Sequence, residues 1–97
     1  MNERELKIKE TIALSDEARK LLDNPLLVGS FTKARESVII NLTNSKHDER
    51  DLREHQYLML SAINEIELII KKMIRDGDIE RSKLRVKEVK QLKSLDR

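Results

Sequence analysis

The sequence contains no cysteine and no tryptophan, and it has only two glycines, one proline and two aromatic residues, Phe31 and Tyr57. Without cysteine there is no disulfide framework and no thiolate metal site. So few glycines and prolines leave few places for tight turns, which argues against a β-sandwich or a barrel. A core made from Leu, Ile, Val and Met with almost no aromatic mass is thin for 97 residues.

Charged residues, at 39%, slightly outnumber hydrophobic residues, at 38%. This composition is typical of long helices that complete their burial on another chain. The longest apolar run, residues 57–60, is far too short to span a membrane. The charged start of the chain does not resemble a signal peptide. We therefore expect no membrane partner.

The clearest helix start is Asn24-Pro25, because Asn can cap a first turn and Pro suits the first helical position. A helix is predicted over about residues 25–43, with apolar residues spaced by four and three along one stripe. The stripe consists of Leu27, Phe31, Ala34, Val38 and Leu42.

A longer amphipathic helix is predicted over about residues 46–76. Its apolar residues repeat in steps of four and three, which is the heptad pattern of a coiled-coil seam. The candidate core and oligomer positions are Leu52, Met59, Ile63, Ile66, Ile70 and Met73. Gln56 lies in the same register, either as a buried polar residue that fixes the register or as a residue near solvent. The predicted fold class is all-α: a helical hairpin or bundle around this helix, completed by oligomerisation.

The two ends are predicted from weaker patterns within a single domain over residues 1–97. Residues 1–14 are expected to form a charged arm, with a short helix starting at Ser15. Gly77 is expected to end the long helix in the left-handed conformation, and Asp78 to cap a separate basic helix over residues 79–97.

That C-terminal segment carries seven Lys and Arg residues against three acids. Such a stretch can be a solvated helix face, or it can bind an acidic protein surface or nucleic acid. The candidate partner-binding residues are Arg81, Lys83, Arg85, Lys87, Lys90 and Lys93.

Residues suited to catalysis or to metal binding are few. His47, Asp51 and His55 have a spacing that two histidines and a carboxylate could use for a divalent metal. An exposed, polar first turn and a half of a helix is the favoured interpretation, because no HExxH-type context supports a metal site. There is no cysteine nucleophile and no glycine-rich phosphate loop. We predict no enzyme activity, no metal, no cofactor and no small-molecule substrate.

Two segments resemble a group of small helical proteins of tailed bacteriophages. They are residues 18–27, ARKLLDNPLL, and residues 51–58, DLREHQYL, which a long apolar helix and DGDI at 76–79 follow. The resemblance covers about residues 17–84 and departs from the group in lacking its tryptophans. It rests on helix caps and core positions, so it carries over no functional residue. It implies a phage protein with a structural or assembly role.

The sequence thus favours a phage interaction protein that self-associates through the heptad seam and acts in virion structure or assembly. An alternative is a nucleic-acid-associated accessory protein for genome packaging that uses the basic C-terminal helix, and a third is an inhibitor of a host enzyme. The expected location is the host cytoplasm or the virion.

Overall fold

The computed structural model describes the backbone of residues 2–95 and the side chains of residues 2–93. These residues form three helices and no strand: α1 (Glu3–Asp23), α2 (Pro25–Thr43) and α3 (Arg50–Leu95). The prediction of an all-α fold is confirmed.

Helix α1 is one continuous helix from its first turn. The side-chain oxygen of Asn2 accepts a hydrogen bond from the backbone N–H of Glu5, at 2.8 Å, and so caps the first turn. Ser15 lies in mid-helix, where its hydroxyl donates to the carbonyl of Ile12 at 2.7 Å. The prediction of a separate arm over residues 1–14 and a helix start at Ser15 is wrong, because this serine bonds within a helix that has already begun.

Helices α1 and α2 are separated by a single residue, Asn24, whose φ and ψ of −81° and 111° are extended. Its side chain accepts hydrogen bonds from the backbone N–H groups of Leu26 and Leu27. Pro25 disfavours a helical conformation at the preceding residue, and it has no amide hydrogen that would need a partner. The predicted cap and the predicted bounds of α2 are therefore confirmed.

The turn between α2 and α3 is held by a side chain of the turn and by one from the first turn of α3. The carboxylate of Glu49 accepts from the backbone N–H of Lys46 at 2.9 Å. The guanidinium of Arg53 donates to the carbonyl oxygens of Lys46 and His47. These bonds delay the start of α3 to Arg50, four residues after the predicted start.

Helix α3 does not end at Gly77. It continues as helix to Leu95, and no described glycine has a positive φ. The prediction of a left-handed C-cap at Gly77, with a separate helix over residues 79–97, is wrong. A Cβ at Gly77 would overlap the side chain of Ser15 in α1. The glycine therefore allows α1 and α3 to approach each other closely, and it forms no turn.

Where the sequence suggested one domain, the contacts group the residues into two compact units. Unit 1 contains residues 2–20, which are the N-cap Asn2 and most of α1, together with residues 71–95 of α3. Unit 2 contains residues 21–70, which include all of α2.

The helices of unit 1 run antiparallel, as two ion pairs between them show. Arg19 pairs with Asp78, and Asp16 pairs with Arg81. The later residue of α1 thus meets the earlier residue of α3, as antiparallel helices require.

Helices α2 and α3 run antiparallel in unit 2 as well. Arg35 of α2 pairs with Glu67 of α3 at 2.5 Å. Asn41, which is later in α2, donates a hydrogen bond to Gln56, which is earlier in α3.

The predicted apolar stripe of α2 faces the interior of unit 2. Val38 is buried, and Leu27, Phe31, Ala34 and Leu42 are half-buried. The stripe is confirmed, since the four-three spacing brings these residues to one side of the helix.

Candidate interaction surfaces

The side of α3 that packs within the chain repeats in steps of three and four. In unit 2 its buried and half-buried residues are Arg53, Gln56, Leu60, Ile63, Glu67 and Ile70. The same spacing continues in unit 1 with Ile74, Gly77 and Arg81. This pattern is a heptad seam, as the sequence indicated, but four of its seven positions from Arg53 to Ile74 differ from the predicted ones.

The predicted seam shares Gln56, Ile63 and Ile70 with the observed one. Its other members, Leu52, Met59, Ile66 and Met73, each precede an inward-facing residue by one position and are 38–51% exposed. They form one flank of the helix, since residues seven apart lie on the same side.

Two charged residues explain the rotation of the observed seam. Arg53 faces inward because it donates to carbonyl groups of the preceding turn. Glu67 faces inward because it accepts from Arg35 of α2. A search for apolar periodicity passes over both of them, and it takes the apolar neighbours Leu52 and Ile66 as seam positions instead.

Gln56 is buried, at 6% exposure, and its side-chain oxygen accepts from the amide of Asn41 in α2 at 3.3 Å. Of the two interpretations open from the sequence, the structure favours a polar residue inside the seam. The bond joins two helices of one chain, so it fixes the register of α2 against α3 within unit 2.

Replacing Gln56 with leucine is expected to change the free energy of unfolding by less than about 1 kcal/mol. Leucine fills a similar volume, and Asn41 is exposed and can bond to water instead. Gln56→Ala, which empties the site, should cost about 1–3 kcal/mol. Urea titrations of the two variants measure this difference. A large loss with leucine would mean that the hydrogen bond itself, and not the filled volume, stabilises the unit.

Of the predicted basic partner-binding residues, Arg81 has a role inside the chain. It is half-buried, and its guanidinium donates to the carboxylate of Asp16 in α1. The others lie on exposed parts of α3: Lys83, Arg85, Lys87, Lys90 and Lys93. Lys83 also contacts Glu80 at 3.4 Å, a half-buried residue one turn earlier in α3. The structure thus leaves five of the six predicted residues accessible.

Beyond Arg81 every described side chain of α3 is exposed, up to Lys93. Leu84, Val86, Val89 and Leu92 are among them, at 39–63% exposure. An open groove lies between the first turns of α1 and this part of α3, lined by side chains that include Ile8, Thr11 and Leu84. Residues 82–93 of α3 therefore combine basic charge with exposed apolar side chains.

His47, Asp51 and His55 are all exposed. Within residues 2–93 no three His, Cys, Asp or Glu side chains are grouped closely enough to hold a metal ion. Among the described helices, none is both long enough and apolar enough to cross a membrane.

The contact between Ser15 and Gly77 is the feature that sequence reasoning missed. Ser15 is fully buried, and Ala18, one turn later in α1, is 2% exposed. Small residues at spacings of three or four let two helix backbones come close together. The signal was the pair of small residues on α1 opposite a glycine inside an otherwise uninterrupted helical pattern.

Comparisons with known proteins leave the relationships of the chain open. No family model, no curated protein and no solved structure matches it significantly. The resemblance to the bacteriophage group stays a prediction.

Proposed function

We propose that this protein is a helical interaction protein that self-associates through the exposed apolar flank of α3. The flank within unit 2 consists of Leu52, Met59 and Ile66, which recur every seven residues. Virion structure or assembly is the setting that the resemblance to phage proteins implies for it.

One observation carries the proposal: very little apolar surface is buried within the chain. Among the described side chains only Ala18, Val38 and Ile70 are buried hydrophobic residues, whereas twenty large hydrophobic residues are 38–78% exposed. A soluble monomer of this size exposes some apolar atoms, but its core is larger than three side chains. Such a balance is expected of a chain whose folding is completed by association.

The flank has the properties of a helix–helix interface. Its side chains repeat at the heptad interval, and Ala62 and Ile69 widen it on one side. Leu52, Met59 and Ile66 are 40–51% exposed, so covering them removes further apolar surface from water. Complete burial of a large apolar side chain stabilises by about 1.5–3 kcal/mol, and roughly half of that remains available at each position. Such contacts, repeated on both chains, contribute to the stability of a dimer.

The test is the dependence of thermal stability on protein concentration. Because binding of a second copy stabilises only the folded state, we expect the melting temperature to rise with concentration. Sedimentation or light scattering should give a mass above 11.4 kDa in the same range. A monomeric mass together with a melting temperature independent of concentration would refute self-association.

The nucleic-acid alternative rests on the exposed Lys83, Arg85, Lys87, Lys90 and Lys93. It is tested separately, by retention on duplex DNA at increasing salt. Phosphate contacts release counterions, so the binding constant should fall steeply as salt rises, with a slope that follows the number of contacts. Absence of retention at low salt would exclude it.

A further inference from the structure

The outer side of α3 in unit 1 is both apolar and basic. Ile79, Ser82, Val86 and Val89 follow one another in steps of three, four and three, so they lie on one face, and all are exposed. Ile79, Ser82 and Val86 line a shallow depression of the surface. We call Ile79, Ser82, Val86 and Val89, with Lys83 and Lys90 beside them, the basic face.

Helix α1 has an exposed face of the opposite charge. Glu3, Glu10 and Glu17 are spaced by seven residues and so lie on one side of the helix. Leu6, Ala13 and Leu14 lie among them, and Leu6 and Leu14 are 50% and 54% exposed. The exposed Lys7 lies at the edge of the same side, between Glu3 and Glu10. Glu17 also contacts Lys20 at 3.0 Å, in an exposed pair. We call the three glutamates, with Leu6, Ala13 and Leu14, the acidic face.

The acidic face is turned away from α3 of its own chain. The residues of α1 that pack in unit 1, such as Ile8, Ser15 and Ala18, are half-buried or buried, whereas the six residues of the acidic face are exposed. The acidic face therefore cannot reach the basic face of the same unit while α1 keeps its packing. It is accessible to another molecule.

The two faces match in charge and in spacing. Glu10 and Glu17 are seven residues apart, as are Lys83 and Lys90, and seven residues of helix span about 10.5 Å. Opposite charges at the edge of a helix–helix contact select the partner and its orientation, while apolar residues between them supply the burial. Each face carries both components.

We propose that the basic face of one molecule binds the acidic face of α1 in a second copy of the chain. This contact lies in unit 1 and is distinct from the flank of Leu52, Met59 and Ile66 in unit 2. It joins different surfaces of the two partners, so in head-to-tail order it builds a ring or an open chain of subunits, and when both partners engage both faces it closes a two-fold dimer.

A second copy fits the basic face better than nucleic acid does. Ile79, Val86 and Val89 are 45–55% exposed in the centre of this face, and phosphate groups do not cover apolar side chains. No aromatic side chain occurs beyond Tyr57 on which bases could stack.

The experiment uses two full-length charge-reversed chains, both carrying Ile66→Asp so that association through unit 2 does not contribute. The first has Glu10→Lys and Glu17→Lys, and the second has Lys83→Glu and Lys90→Glu. Either chain alone should associate at least tenfold more weakly than the Ile66→Asp parent at low salt. An equimolar mixture should regain association, because the reversed faces are complementary again.

Sedimentation velocity measures the mass of each chain and of the mixture, and circular dichroism checks that all of them are helical. High salt, near 1 M, should weaken the parent and the mixture alike, since the Debye length falls from about 10 Å to about 3 Å. Glu36→Lys and Lys33→Glu, at exposed positions of α2, are the matched control reversals and should change nothing. If Ile66→Asp lowers helicity, the same charge reversals are made in the wild-type chain. The mass of the assembly should then fall for each reversed chain alone and recover in the mixture.

Unchanged association of the reversed chains, or no recovery in the mixture, would overturn the proposal. So would loss of DNA retention in the Lys83→Glu/Lys90→Glu chain without any effect on mass, which would assign the face to nucleic acid. An unchanged mass on Ile66→Asp alone would contradict only the interface in unit 2, so the two proposals fail separately.

Discussion

Replacing Ile66 with aspartate is expected to weaken self-association through the flank of α3 at least about 100-fold, with a smaller concentration dependence of the melting temperature. Ile66 is 51% exposed within the chain, at the centre of the flank with Met59 and Leu52. Covering a carboxylate there without a partner costs several kcal/mol, and each 1.4 kcal/mol is a factor of ten in the association constant. Sedimentation equilibrium gives the constant, and thermal melts at several concentrations give the stability.

Two neighbouring positions on α3 serve as matched comparisons. Ile63→Asp puts the same charge on the side that packs inside unit 2, where Ile63 is half-buried, so we expect loss of helicity at every concentration. Asn64→Asp adds the same charge at an exposed position away from the flank, and it should change neither mass nor melting temperature. The three variants therefore distinguish an effect on folding, an effect on association and the effect of an added charge alone.

Equal behaviour of Ile63→Asp and Ile66→Asp would contradict the assignment of inward and outward positions on α3. An oligomer that survives Ile66→Asp with its mass unchanged would show that this flank is not the interface. Two milder variants, Met59→Ser and Ile66→Ser, test the flank without adding a charge, and both are expected to weaken association measurably.

Local signals in the sequence predicted the fold class and α2 well. The side chain of Asn24 and the ring of Pro25 specify the start of α2. The apolar stripe from Leu27 to Leu42 is specified by the spacing of its residues in steps of four and three. Neither depends on which helix packs against which. Such features can be predicted from a single segment of the chain.

The register of the seam could not be predicted in this way. Apolar periodicity on α3 fits two adjacent sets of positions, because the flank of Leu52, Met59 and Ile66 is as apolar as the side that packs. The choice between the two sets is made by partners distant in the sequence: Arg35, which binds Glu67, and Asn41, which donates to Gln56. The sequence identifies the charged and polar residues but not which of them are paired.

The two glycines show the same limit, since the same residue type can serve a turn, a close approach or neither. Gly77 was expected to end a helix, yet its lack of a Cβ accommodates Ser15. Gly29 lies within α2, and a Cβ there would meet nothing within 4 Å. Only the neighbouring helix distinguishes the two cases.

Gly77→Ala is accordingly expected to lower the free energy of unfolding by about 1–3 kcal/mol, the usual cost of inserting a group into a packed contact. In an unhindered helix the same change stabilises by about 1 kcal/mol, because glycine is the poorer helix former. Gly29 lies at such an unhindered position, so Gly29→Ala should raise the free energy of unfolding. Urea or thermal unfolding of the two variants should therefore give opposite signs.

A double-mutant cycle locates the cause of the loss at Ser15. The added methyl group would overlap both Cβ and Oγ of Ser15, so removing the hydroxyl alone with Ser15→Ala should not restore stability. Ser15→Gly removes both atoms, so that the glycine then lies on α1 and the alanine on α3. It should recover most of the loss caused by Gly77→Ala. If Gly77→Ala instead stabilises the chain as much as Gly29→Ala does, α1 and α3 do not approach each other closely at these residues.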